Sequence, residues 1–485
     1  MFKKNIGKRL FIQSSSNLFF QIFTVLLRLA YVPFIISYIG ISNYGLVVTI
    51  ISFSSYISLI DIGLRNYIIN RCTKFYYQNK LSLTISIFSK TIKLILLLVI
   101  SSIIIIILFY LNINYLDDFI NIEKNILAPC LLLCISNLIA LLISFFSGYF
   151  RVIGKLIFSL FYETLTIIFP IISFIIIFFF VIGENKEISS LYYFSVIIFS
   201  FTLILLIIIS IIFNRALPFK IIFKKKLDIK KYFKYVKKSI FFMIWWINSL
   251  IVANVIIQFT AIYIGSTDVA EISVMRMITN LVVVFIGAIC HPILPDITRF
   301  SSDSDDSFFK KIIRSYYFLL FISTILPIIC LYFVGEKFLN MWINDLVFDT
   351  EIFIILLIMT SFTCYNVQNS NILLVINKHE KYAICNLFNS VFYILVSYLL
   401  IKNKGLIGLL YAFVIYEIIN TLIAQIFLNI YFDNLRKILV SFLFINLFFI
   451  FLLYYIPQLI ILFLLLILLI LFLNFNNIKN SLINF

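Results

Sequence analysis

Apolar runs of about one membrane thickness, repeated from end to end, constrain this chain more than any other feature. A spanning helix needs about 20 mostly apolar residues. Breaks at charges, Gly, Pro and Asn mark off fourteen such runs: 10–38, 44–66, 87–111, 126–150, 156–182, 191–214, 239–264, 272–295, 314–334, 350–376, 382–402, 405–430, 438–456 and 458–474. The last boundary, Tyr455-Ile456-Pro457-Gln458, suits either a tight hairpin or a kinked helix. Runs 10–38 and 156–182 exceed one bilayer thickness and are expected to tilt. Composition points the same way: 63% of the 485 residues are hydrophobic and 12% charged, against roughly 45–50% and about 25% in globular chains. The expected fold is an all-α polytopic membrane protein. The opening MFKKNIGKRL is basic and runs into apolar sequence as far as Ile39, too long for a signal h-region, so a retained first helix is expected.

The connectors set an orientation. The formal net charge is +17, which on a soluble chain would suggest nucleic acid. Here the large majority of the 38 Lys and Arg fall in alternate connectors: Lys3 to Arg9, Arg65 to Lys93, Arg151 and Lys155, Arg215 to Lys238, Arg299 to Arg314, Lys378 and Lys381, Arg436 and Lys437, and Lys479. The opposite connectors hold Lys124, Lys186, Lys337, Lys402 and Lys404 and most of the acidic residues. The positive-inside rule then places both termini of a multi-pass protein in the cytoplasm. No zinc-finger, RNP or helix-turn-helix pattern supports a nucleic-acid partner. The longest connector, 215–238, punctuates its charges with Ile, Phe and Tyr, and reads as a helix on anionic lipid headgroups or as a solvated loop.

An internal repeat divides the chain. An offset of 225 aligns Tyr38-Ile39-Gly40 with Tyr263-Ile264-Gly265 and Lys74-Phe75 with Arg299-Phe300, and it lays the first two spans over the seventh and eighth. The expected domains are an N-terminal six-helix lobe (1–214), the basic connector (215–238), a C-terminal six-helix lobe (239–430), and two extra helices with a tail (431–485). Parallel repeats of this kind are a transporter architecture with the site between the lobes.

Charged and amide side chains inside spans mark the candidate site, because a charge there costs at least ~2.5 kcal/mol and faces a wet cavity or a partner. Asn17, Gln21, Thr24 and Arg28 form a stripe on the first span. Arg276 and Asn280 echo it in the eighth, where a snorkelling surface Arg is the competing account. Asn248, Asn254 and Gln258 lie on the seventh, and Tyr365 to Asn371, with Asn366, Gln368 and Asn369, on the tenth. These amides suit sugar hydroxyls or, equally, interhelical hydrogen bonds. Asp61 sits four residues before Arg65, the spacing of a structural ion pair on a helix. Glu163, two turns from Lys155, and Glu417, with no cation nearby in sequence, are candidates for ion coupling or for buried packing bonds. Catalysis has little to work with. His291 and His379 lack metal-ligand spacing, and no P-loop or nucleophile-elbow motif occurs. The seven cysteines show no paired metal spacing, and no metal or cofactor is expected.

The segment YIGISNYGLVVTIISFSSYISLIDIGLRN resembles a signature of the polysaccharide-biosynthesis (O-antigen) flippases: an N-Y-G turn at Asn43 to Gly45, then a helix ending in D-x-G-L at Asp61 to Leu64. The segment 373–410 resembles their late region, with Asn377, Lys381, Gly405 and Gly408 in the N-x-x-x-K and G-x-x-G places. The resemblance implies the multidrug/oligosaccharidyl-lipid/polysaccharide exporter superfamily, with two six-helix bundles and two further C-terminal helices. It implies a place in a bacterial inner membrane and movement of undecaprenyl-diphosphate-linked oligosaccharide from the cytoplasmic to the periplasmic leaflet by alternating access, alongside polysaccharide polymerase and assembly machinery. It also implies that Arg28, and more loosely Arg276, hold the diphosphate. A cation-coupled multidrug exporter of the same superfamily is the alternative, and a membrane polysaccharide polymerase a third reading.

Overall fold

Without water, backbone N–H and carbonyl groups must be satisfied inside the segment that carries them, so apolar runs of this length become helices. The computed structural model describes residues 6–112, 124–153, 188–216, 229–290, 307–343, 347–376 and 378–431, with short pieces of 155–168 and 293–297. In chain order the helices are α1 (Ile6–Ile39), α2 (Ile41–Ser54), α3 (Leu64–Tyr77), α4 (Leu81–Asn112), α5 (Lys124–Val152), α6 (Ile188–Ala216), α7 (Ile229–Tyr263), α8 (Ser266–Cys290), α9 (Ser307–Trp342), α10 (Thr350–Val375) and α11 (Glu380–Tyr431). No strand occurs among the described residues.

Ten of the described helical stretches are long and apolar enough to cross a membrane, with Glu380–Ile430 counted once. That stretch is two helices, because Gly405 breaks it with φ 58 and ψ −139. Every expected span from the first to the twelfth, the second and fifth excepted, is covered by a described helix over all or most of its length. The fifth is described only in short pieces. The expected two extra helices and tail (431–485), beyond Tyr431, and the middle of the basic connector, 217–228, lie outside the described residues. Gly40 and Gly265, equivalent under the 225-residue offset, each separate two long helices: α1 from α2, and α7 from α8.

One expected span takes a different form. The run 44–66 is not a single helix: α2 stops at Ser54, a 3-10 turn covers Ser55–Asp61, and Ile62 and Gly63 follow with left-handed backbones (φ 51 and 67) before α3 begins. The serines explain the change. Ser54, Ser55 and Ser58 donate their hydroxyl protons to carbonyls three residues back, at 3.0, 2.7 and 2.7 Å. Such bonds compete with the regular ladder and tighten the turn. Asp61 then closes the break by accepting from the Gly63 N–H at 2.9 Å.

The contacts gather into two compact units, Met1–Ala270 and Glu271–Phe485. The division falls just after the first turn of α8, so α7 packs within the first unit, against α2, α3 and the 3-10 turn. The core of that unit is aromatic: Phe88 stacks on Phe145 with centroids 4.7 Å apart, and Phe146 meets Phe213 at 4.8 Å. In the second unit α10 packs against α9 and α11.

Gly63 is where shape is most demanding. A Cβ there would lie 2.8 Å from the Met243 nitrogen and from the Ser239 carbonyl oxygen, both backbone atoms of α7. Gly63→Ala is therefore expected to cost about 1–3 kcal/mol, read as a lower unfolding temperature of the purified protein; an unchanged temperature would contradict this packing.

Candidate functional site

The break in α2 opens a cavity of about 320 Å³ inside the first unit. Ser55, Ser58, Asp61 and Arg65 line it from the break and the start of α3, and Asn137 and Ser144 from α5. Glu163 and Thr166 come from the described part of the fifth span, and Phe242, Trp246 and Leu250 from α7. One wall is thus polar and another aromatic and aliphatic. Hydrogen bonds from neighbouring helices hold the polar wall. Asn254 donates to the Ser55 hydroxyl oxygen at 2.8 Å, the Trp246 indole to Ser58 at 3.2 Å, and Asn137 to Ser54 at 2.8 Å. Tyr56 donates to Gln258 Oε1 at 3.4 Å.

Two ion pairs border the cavity. Asp61 Oδ2 lies 4.0 Å from Arg65 Nε, and Arg65 also donates to the Ser144 hydroxyl. The pair is not on one helix, as the spacing suggested, but straddles the left-handed break at Ile62 and Gly63. The cation of Glu163 is Arg151 of α5, whose Nη2 reaches both carboxylate oxygens at 2.6 and 2.5 Å, in place of the Lys155 that proximity in sequence suggested.

The hydroxyl protons of this wall are largely committed. Ser55, Ser58 and Thr166 each donate to a backbone carbonyl three residues back, so they offer lone pairs to whatever occupies the space. The wall is rich in acceptors, and its carboxylates are each matched by a guanidinium.

The other residues singled out from the sequence fall elsewhere. Gln21 lies on α1 partly buried, with its Oε1 buried and without a hydrogen-bond partner among the described residues; the side chains of Asn17 and Arg28 lie outside the described residues. Asn254 and Gln258 hold the cavity wall from behind. In the second unit Glu417 accepts from Thr363 at 2.8 Å and from Asn366, whose amide also reaches the Glu417 carbonyl at 2.9 Å. Arg276, silent in sequence as a partner of Glu417, exerts its charge on that carboxylate and lies 5.8 Å over the Phe413 ring. Asn280 is exposed. Asn369 accepts from Tyr317 at 2.7 Å and Gln368 from Tyr316 at 2.9 Å, which joins α9 to α10. The amides of α10 thus make helix-to-helix bonds. His379 is buried in the turn before α11, where burial pushes its imidazole below the ordinary value against the pull of Glu380. His291 and Asn377 lie outside the described residues. Among the described residues no group of three or more His, Cys, Asp or Glu is gathered that could hold a metal ion.

Asn137, Ser144, Trp246 and Arg151 were not singled out beforehand. Asn137 is a lone amide within the fourth span and Trp246 one of three Trp in the chain, whereas Ser144 and Arg151 carry no comparable signal.

Solved structures reproduce this arrangement of helices. An inward-facing multidrug-resistance MATE transporter of the MOP superfamily superposes with a TM-score of 0.66 at 13% identity, over 87% of this chain and 99% of that one. A point mutant of the Vibrio cholerae MATE transporter VcmN gives 0.61 at 15%, over 89% and 97%. An outward-facing multidrug-resistance MATE transporter gives 0.55 at 15%, over 88% and 96%. The chain has a MATE-like transporter fold. These neighbours are transporters rather than enzymes, and at such identity the likeness is one of fold. No protein-family model matches the chain, and no curated protein matches it.

Within this fold the Glu417 cluster is expected to stabilise the second unit. Glu417→Leu takes the shared acceptor from Thr363 and Asn366 and removes a carboxylate facing Arg276, at an expected cost of about 1–3 kcal/mol. Thermal unfolding of the purified variant checks this, and an unfolding temperature equal to that of the parent is the contrary result.

Proposed function

We propose that the chain is a secondary transporter of the bacterial plasma membrane that exports an amphiphilic organic solute by alternating access. The observation that carries this reading is the fold, shared over nearly the full length of multidrug transporters captured both inward-facing and outward-facing. The cavity at the α2 break supports it chemically. Its hydroxyl and carboxylate acceptors suit the polar part of such a solute, and Trp246, Phe242 and Leu250 the apolar part. We assign coupling with a proton or sodium gradient to Asp61, beside the cavity and 4.0 Å from its cation, in place of Glu163 and Glu417, the coupling candidates of the sequence. Arg28 and Arg276 are left to the substrate path of the second reading.

That second reading is flipping of a diphosphate-linked oligosaccharide lipid. It is favoured by the D-x-G-L motif, whose Asp61 and Gly63 line the cavity, and by hydroxyl acceptors fit to receive sugar hydroxyl protons. A diphosphate cannot cross about 30 Å of hydrocarbon unaided, and a guanidinium stays protonated throughout such a cycle.

Purified protein in proteoliposomes separates the two. With a proton or sodium gradient imposed, efflux of at least one amphiphilic dye is expected, falling tenfold or more in Asp61→Asn. Movement of a fluorescent diphosphate-linked disaccharide lipid without any dye efflux favours the second reading; movement of neither overturns both.

A further inference from the structure

Glu163 stands between the cavity and a guanidinium that the cavity does not contain. Its carboxylate lines the space. Arg151, behind it in the last turn of α5, holds both carboxylate oxygens and anchors its own Nε on the Ser159 hydroxyl at 2.9 Å. Ser147 and Ser159 add donors to Oε1 at 3.3 and 3.5 Å. With Asp61, which lines the same cavity, matched by Arg65, the four charges cancel. Remove Arg151 and the serine hydroxyls remain, but they carry no charge, and the wall is left with one uncompensated negative charge.

We propose that Arg151 sets the charge selectivity of this cavity. Acting through Glu163 and touching no solute, it keeps the wall neutral, so that the cavity admits uncharged, hydroxylated or zwitterionic solutes without favouring cations. The proposal rests on the reading of the α2 cavity as a solute site, and it makes Arg151 a positioning residue whose loss changes which solute enters rather than whether the protein folds.

A cysteine in place of Ser58 on the wall serves as the probe, in full-length protein in nanodiscs with the native cysteines replaced. The ratio of its reaction rates with a cationic and with an uncharged methanethiosulfonate reports the local potential. Arg151→Gln is expected to raise that ratio about five- to tenfold, the size of one partly screened charge interaction, and the rise is expected to shrink as salt is added. Arg151→Lys keeps the charge and is expected to keep the parent ratio. Arg151→Gln combined with Glu163→Gln removes both charges and is expected to return to the parent ratio, which a merely structural effect of Arg151 would not do. A ratio in Arg151→Gln within twofold of the parent overturns the proposal and leaves the cavity reading standing. A Ser58→Cys protein that reacts with neither reagent overturns both, because a wall charge that no solute meets selects nothing.

Discussion

A hydrocarbon surrounding offers no partner to a backbone N–H or carbonyl, so a break in a spanning helix has to be repaired by the protein's own side chains. The α2 break is such a repair. Serine hydroxyls tighten the backbone into a 3-10 turn, Asp61 caps it, and Asn137, Asn254 and Trp246 bind the hydroxyl oxygens from two other helices. Ser55, Ser58, Asp61, Asn137 and Trp246, which help to repair the break, also line the cavity, so much of its acceptor-rich wall follows from the need to satisfy an interrupted helix.

The two units use polar residues differently. In the second, the carboxylate of Glu417 and the amides of α10 are bonded to neighbouring helices and leave the apolar surface to the outside. In the first, the equivalent chemistry stands around open space. Interhelical hydrogen bonds in membranes are individually modest, averaging about 0.6 kcal/mol. Bonds of that strength, such as those between α7 and the 3-10 turn, fasten a helix without making its position irreversible, as the proposed alternation between two states requires.

Much of the fold was legible in the sequence, because span length is set by bilayer thickness rather than by detailed packing. The glycines at 40, 265 and 405 stand at helix junctions that the apolar runs already marked. The run 44–66 misled for a physical reason: its apolar content is that of one helix, and only the serine spacing hints at the 3-10 turn. The site was less legible still. Amides on the tenth span read equally as sugar ligands or as helix contacts, and only the positions of Tyr316 and Tyr317 decide for Gln368 and Asn369. Arg151 stands twelve residues from Glu163, across a chain reversal that no periodicity encodes.

The central claim is that the break in α2 creates a hydrated, solute-accepting space within the first unit. A cryo-electron microscopy map of the full-length protein in nanodiscs, at a resolution that shows ordered water, tests it most directly. The account predicts non-protein density between the carboxylates of Asp61 and Glu163, within hydrogen-bond reach of the Ser55 and Ser58 oxygens. A map in which Trp246 packs onto Leu141 and closes that space, with no such density, would contradict it.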